Sequence, residues 1–158
     1  FAFVQKCLEK KKFLPITDLN MTRFFITLVD GVNFVLKCLE RMKGGEIFIP
    51  KIPSFKITDL ALAMDNKSKF KIIGIRPGEK IHEQLFTIND NHNINEYKDF
   101  FILKPTFSIR KINYLRTKLG EKGKKIKLGI EYNSSNNKKK LSISGIKKKF
   151  KDVKLLSV

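Results

Sequence analysis

Residues 72–83 read Ile72-Ile73-Gly74-Ile75-Arg76-Pro77-Gly78-Glu79-Lys80-Ile81-His82-Glu83. An apolar strand-type run stops at a Pro-Gly turn, and loops after strand ends are where α/β proteins place their sites. Pro77 fixes the turn, and Gly78 lets the backbone come close to a ligand. Arg76 carries a planar fork that can grip a phosphate bidentately. Glu79 can accept from two hydroxyls, as a ribose diol offers. Together they suit a nucleotide diphosphate. The same residues also make an ordinary tight turn with a surface Arg–Glu pair, and the local sequence leaves both readings open.

Other reactive side chains offer less. His82 follows the turn, where a supporting or surface role fits better than a general base. His92 sits in an Asn-rich loop and is expected in solvent. Cys7 and Cys38 are too few for a disulfide scaffold. Each falls in an apolar helical pattern and reads as a buried thiol in a reducing compartment. No His, Cys, Asp or Glu cluster has metal-ligand spacing, so no metal is expected.

The elements that must hold the turn follow from periodicity. Residues 2–12 form an amphipathic helix with Phe3, Val4, Cys7 and Leu8 on one face. Residues 14–17 are extended, since Pro15 breaks the helix, and 18–22 are a polar loop. A second helix spans 27–42, with Leu28, Val32, Val35, Leu36 and Leu39 as its apolar stripe and Gly44-Gly45 as its end. Residues 46–50 form a strand. Residues 57–64 form a short helix capped by Thr58 or Ser54. Residues 70–75 form a strand, 81–86 a short helix, 89–95 a polar turn and 100–103 a strand. Helices alternating with strands argue α/β. Beyond Pro105 the pattern weakens, until 142–156 offers a basic amphipathic helix through Ile143, Ile146, Phe150 and Val153.

Several segments, in order and spacing, resemble one family. They are Pro15-Ile16-Thr17-Asp18, Met21-Thr22-Arg23-Phe24, the run Gly45 to Ser54, and Gly74-Ile75-Arg76-Pro77-Gly78-Glu79-Lys80. They look like the C-terminal lobe of inverting UDP-N-acetylglucosamine 4,6-dehydratases. These belong to the polysaccharide-biosynthesis branch of the extended short-chain dehydrogenase/reductases. The resemblance is dense over 1–103 and thins afterwards, though Glu131 to Asn137 also looks like the family's tail. It implies a nucleotide-sugar-binding lobe at 1–103, a basic, partly ordered C-terminal extension at 104–158, and a Rossmann domain largely absent from this chain. It implies that Arg76 contacts the diphosphate, Glu79 the ribose, and Arg23 a second phosphate, with Thr17 and Thr22 near the uridine. In such a family member NADP serves oxidation at C4. Water is then eliminated across C5–C6, C5 is inverted and C6 re-reduced, for pseudaminic-acid-type or related surface glycans. The implied partners are a UDP-sugar, the missing Rossmann domain and a family-like homo-oligomer, in the cytoplasm.

The chain departs from that pattern in what it lacks. No glycine-rich fingerprint follows a first strand, so no NADP is expected on this chain alone, and no catalytic residue is assigned to it. Tyr114-Leu115-Arg116-Thr117-Lys118 has the Tyr-x-x-x-Lys spacing of the family's pair. It comes after the Arg76 turn instead of before it, in a Lys-rich stretch, and reads as chance. The expectation is a truncated, split or partial dehydratase, inactive alone, whose face toward the missing domain is apolar.

Composition supplies the competing class. The chain has 158 residues, 33 Lys+Arg and 15 Asp+Glu, for a net charge of +18. Residues 1–103 carry 16 basic and 12 acidic residues, while 104–158 carry 17 and 3, so net charges of +4 and +14 respectively. Lysine runs at 122–127, 138–140 and 147–149 could bind nucleic-acid phosphates or an anionic surface non-specifically. They lack interleaved aromatic platforms. With 28 Lys, 19 Ile and 11 Asn, the drift of an AT-rich genome accounts for them, and nucleic-acid binding is not the favoured reading. No apolar run approaches the ~20 residues of a membrane span.

Overall fold

The computed structural model describes residues 13–67, 69–107 and 111–155, with side chains through residue 151. The expected helix at 2–12, and Cys7 with it, lie outside the described residues. The chain folds as two units.

The first unit holds residues 13–25, 53–83 and 134–155 among those described. Strand β1 (Leu14–Ile16) pairs in parallel with β5 (Phe70–Ile72), Ile16 opposite Ile72. Strand β2 (Thr22–Phe24) pairs antiparallel with β4 (Ser54–Lys56), Arg23 opposite Phe55. Helix α2 (Ile57–Met64) starts directly after β4. Its N-cap is Lys56, without a side-chain cap bond, so neither Thr58 nor Ser54 caps it. Ser54 belongs to the strand and is held there by main-chain bonds to Lys139 and Leu141.

Helix α3 (Ile143–Leu155) realises the basic amphipathic pattern. Ile146 is fully buried with Phe55 and Ala63, and Ile143, Phe150 and Leu60 pack around them. Phe25 meets Phe55 and Phe150 edge-on at ring centroid distances of 6.2 and 5.8 Å, a favourable aromatic geometry. The apolar face that a membrane-surface reading requires is thus used in this core. Lys147 and Lys148 stay in solvent. No helix of the described residues is long and apolar enough to cross a membrane.

The second unit holds residues 26–52 and, among those described, 84–107 and 111–133. Helix α1 (Leu28–Arg41) begins where the Thr27 hydroxyl accepts the Asp30 N–H at 3.0 Å, an N-cap. A four-stranded antiparallel sheet runs in the order β3 (Ile47–Pro50), β8 (Phe100–Leu103), β7 (Ile94–Glu96), β9 (Lys124–Lys125). Tyr97 stacks on Phe100 at 4.7 Å, and Phe34 of α1 and Phe48 pack on that cluster. The sequence put the contact stripe of α1 at Leu28, Val32, Val35, Leu36 and Leu39, but all five are exposed. Its inner side is instead Gly31, Phe34, Cys38 and Arg41. Cys38 is half-buried, and burial pushes its thiol up to about 11 against the opposing pull of Arg41, so it is an inert thiol.

Two further expectations change. Residues 81–86 are not helical: Gln84–Phe86 is strand β6, paired with β10 (Tyr132–Asn133). Six residues make too few helical bonds to resist this pairing, which seats Phe86 against Phe101 and Tyr132. The polar turn at 89–95 is a 3-10 helix, Ile88–Asn93, closed by a Thr87–Asp90 capping box, followed at once by β7.

Candidate functional site

The candidate site lies on the loop that leaves β5, in the first unit. The Glu79 N–H donates to the Arg76 carbonyl at 3.0 Å across Pro77 and Gly78. Gly78 has φ +80°, which makes this a type II turn. A side chain there would hold the left-handed conformation at a cost of about 1–2 kcal/mol. The turn folds Glu79 back on itself, so that one carboxylate oxygen accepts the Arg76 N–H at 3.3 Å. The other accepts the Thr17 hydroxyl at 3.2 Å. Thr17 follows β1, and the parallel ladder continues through the Ile73 N–H onto the Ile16 carbonyl, which carries Thr17 beside the loop. Glu79 is therefore half-buried and fixed from two sides, while each oxygen keeps a lone pair for a further donor. The Arg76 side chain is exposed, and its guanidinium has no partner among the described residues. It can close on an anion without breaking an existing bond.

Arg23 grips the other end of the same segment. From β2 its Nε lies 3.3 Å from the Glu83 carboxylate. One terminal nitrogen donates to the Thr22 and Ile81 carbonyls at 2.7 and 3.1 Å. The structure thus joins Arg76 with Glu79 and Thr17, and joins Arg23 with Glu83. Arg23 braces the segment, and its second terminal nitrogen has no partner among the described residues.

Sequence reasoning missed a hydroxyl cluster beside this brace. The Thr22 hydroxyl hydrogen-bonds His82 Nδ1 at 2.8 Å and Ser134 Oγ at 2.6 Å. Ser134 Oγ donates to the Thr22 carbonyl at 3.1 Å and accepts the Glu83 N–H at 3.0 Å. These three residues, with Asp18, Lys56 and Ser54, are among those lining a cavity of about 560 Å³. Ser54 is 1% exposed, and its hydroxyl has no partner among the described residues. Such a hydroxyl is costly to bury, and it leaves the cavity one polar group unsatisfied. Arg76, Glu79 and Arg23 do not line this cavity. No spacing rule links positions 22, 54, 82 and 134; only strand pairing brings them together.

Tyr114 and Lys118 belong to the second unit. The Tyr114 phenol is buried and donates to the Gly44 carbonyl at 2.8 Å, while Lys118 is exposed. The Tyr114 carbonyl in turn accepts from the Asn95 amide and from the Tyr97 hydroxyl. Tyr114 is a structural post.

Neither the turn after β5 nor the start of α2 forms a dinucleotide's pyrophosphate cradle. A pyrophosphate cradle needs a glycine turn that opens into a helix. The turn after β5 leads to a bridge at His82 and then β6, and α2 opens straight from β4 without a glycine. Among the described residues, no group of three or more His, Cys, Asp or Glu could hold a metal ion.

Comparison with known proteins gives concordant results. A family model described as polysaccharide biosynthesis protein matches residues 2–105. The chain is similar to the UDP-N-acetylglucosamine 4,6-dehydratase (inverting) of Campylobacter jejuni subsp. jejuni serotype O:2, 52% identical over 131 residues, 82% of this chain and 39% of that protein. It is also similar to the UDP-glucose 4-epimerase of Rickettsia canadensis, 34% identical over 144 residues, 89% of this chain and 41% of that protein. Among solved structures, Pen from Bacillus thuringiensis matches with a TM-score of 0.72 and 26% identity, over 96% of this chain and 43% of that one. The chain therefore spans about two fifths of the length of the relatives it matches.

Proposed function

The chain belongs to the polysaccharide-biosynthesis protein family, and from that membership we propose that it is the nucleotide-sugar-binding lobe of a UDP-N-acetylglucosamine 4,6-dehydratase that inverts C5. The whole enzyme, an extended short-chain dehydrogenase/reductase acting with NADP, would serve surface-glycan synthesis. Its Rossmann domain and catalytic groups would lie outside this chain, which would be inactive alone.

The observation that carries the reading is the turn Arg76-Pro77-Gly78-Glu79, with its carboxylate braced by Thr17. In this account the exposed Arg76 fork takes the diphosphate by paired charge-assisted bonds. Glu79 takes the ribose diol through the lone pairs left after Thr17 and the Arg76 N–H are served. Arg23 adds a second phosphate contact through its remaining nitrogen, its other donors already holding the segment in place. A carboxylate beside a diphosphate would be repelled if mobile. Pinning it at the ribose end of the turn keeps the two charges apart. The 52% identity to a dehydratase of that name favours UDP over other nucleotide diphosphates.

Calorimetric titration with UDP, uridine and inorganic phosphate tests the proposal. UDP should saturate weakly and better than either fragment. Equal or absent responses to all three would refute it.

A further inference from the structure

The cavity beside the Arg23 brace is built on one sheet face, wholly within the first unit. Thr22 stands opposite Lys56 in the β2–β4 pair. Ser54 lies two residues before Lys56, so their side chains share that face. Parallel bridges add Lys140 beside Ser54 and His82 beside Thr22. His82 Nδ1, Thr22 Oγ1 and Ser134 Oγ form a chain of three bonds that ends on the Thr22 carbonyl. The two hydroxyls supply two of the three protons. Ser134 gives its proton to the carbonyl, and Thr22 gives its own to Ser134 Oγ. The third proton must then come from His82 Nδ1. In the neutral ring this leaves Nε2 a bare acceptor, and it has no partner among the described residues. Ser134 Oγ also accepts the Glu83 N–H, so Thr22 and Ser134 are spent within the wall.

The unspent groups on the wall are of both kinds. The Lys56 and Lys140 ammonium groups and the buried Ser54 hydroxyl can donate, while His82 Nε2 and the Asp59 carboxylate can accept. None of these groups has a partner among the described residues. Asp18 spends one oxygen on the Asn20 N–H at 2.6 Å. Two lysines and two aspartates cancel, so a bare anion gains little from the local field. We propose that this cavity is a second ligand site, for a small hydroxylated anion: a carboxylate or phosphate carried on a polyol. Its acidic group takes both ammonium groups by charge-assisted bonds, together with the Ser54 hydroxyl. Its own hydroxyls donate to His82 Nε2 and Asp59. The cavity's volume of about 560 Å³ lies within the range of about 300–1,000 Å³ of small-molecule sites. Arg76, Glu79 and Arg23 are off its wall. The ligand is therefore taken alongside a nucleotide, and the inference does not rest on the UDP reading.

Calorimetric titration of this chain with glucuronate, glucose 6-phosphate, glucose and inorganic phosphate tests the site. Glucuronate or glucose 6-phosphate should saturate at one site, and which of them binds tells a carboxylate from a phosphate. Glucose and inorganic phosphate should bind at least about tenfold more weakly, each lacking either the charge-assisted bonds or the hydroxyls. Ser54→Ala should melt no lower than the wild type, since it removes an unpartnered buried hydroxyl, and should weaken the acid severalfold. Lys140→Met, at an exposed position, should weaken it likewise. UDP added to the saturated protein should not displace the acid. Failure of both acids to bind overturns the proposal. So does equal binding of glucose or inorganic phosphate, or full affinity in both variants. Displacement by UDP overturns it too, because the cavity then belongs to the nucleotide site. Acid binding in a protein that takes no UDP sinks only the nucleotide reading and leaves this site standing.

Discussion

The Thr17 hydroxyl donates to the Glu79 carboxylate at 3.2 Å across 62 residues of chain. That bond ties the end of β1 to the turn after β5. Thr17→Val keeps the shape and removes the donor. A bond to a charged group is worth about 1.5–3 kcal/mol, but partial exposure reduces it here. UDP affinity should fall by about fivefold to tenfold, which is about 1–1.4 kcal/mol, by calorimetry, with unchanged affinity for inorganic phosphate. An equal loss for both ligands would mean that Thr17 does not act through Glu79.

Tyr114 tests the Tyr-x-x-x-Lys spacing. Its hydroxyl is spent on the Gly44 carbonyl. Tyr114→Phe should therefore cost about 1 kcal/mol in urea unfolding and leave UDP binding untouched. A loss of UDP binding at unchanged stability would give the phenol a functional role.

Gly123 lies beneath the Tyr97 ring. A Cβ there would stand 2.6 Å from the ring's nearest atom. Gly123→Ala should destabilise by about 1–3 kcal/mol through overpacking. In a Tyr97→Leu background the penalty should shrink, a non-additivity that urea melts of the single and double variants would show. Additive losses would place the cost elsewhere.

Acid stability should depend on Glu121. Both its oxygens accept from Arg41, at 2.8 and 3.0 Å. These bonds, with help from the Thr117 hydroxyl, hold its carboxyl below the usual carboxylate range. As pH falls the unfolded chain takes the proton first, at about 4.3. The contribution is therefore full above that value and is lost as pH falls through the lower folded value. Glu121→Gln should lower the melting temperature at pH 7 and flatten its decline below pH 5. Parallel acid profiles for the two proteins would remove Glu121 from the effect.

What the sequence disclosed follows the range of the forces involved. Gly78 and Pro77 specify their turn locally, and the Leu28-to-Leu39 periodicity specifies a helix, so both were legible. Which side of α1 faces its sheet was not, because both sides are apolar and only Phe34 and Arg41 find partners there. Strands β2, β6 and β7 are three residues each and exist through pairing, not propensity. The same holds for the site. Arg76 and Glu79 are neighbours in sequence and were visible. The Thr22–His82–Ser134 cluster depends on β2 meeting residues 60 and 112 positions away.

The most direct measurement of the central claim is calorimetric titration of UDP into the wild type and Arg76→Ala. The exposed guanidinium makes no bond within the described residues that the fold would miss, so the variant should melt like the wild type. Its UDP affinity should drop by at least about tenfold, the equivalent of 1.4 kcal/mol. Identical binding curves from two equally stable proteins would contradict the assignment of the nucleotide diphosphate to this turn.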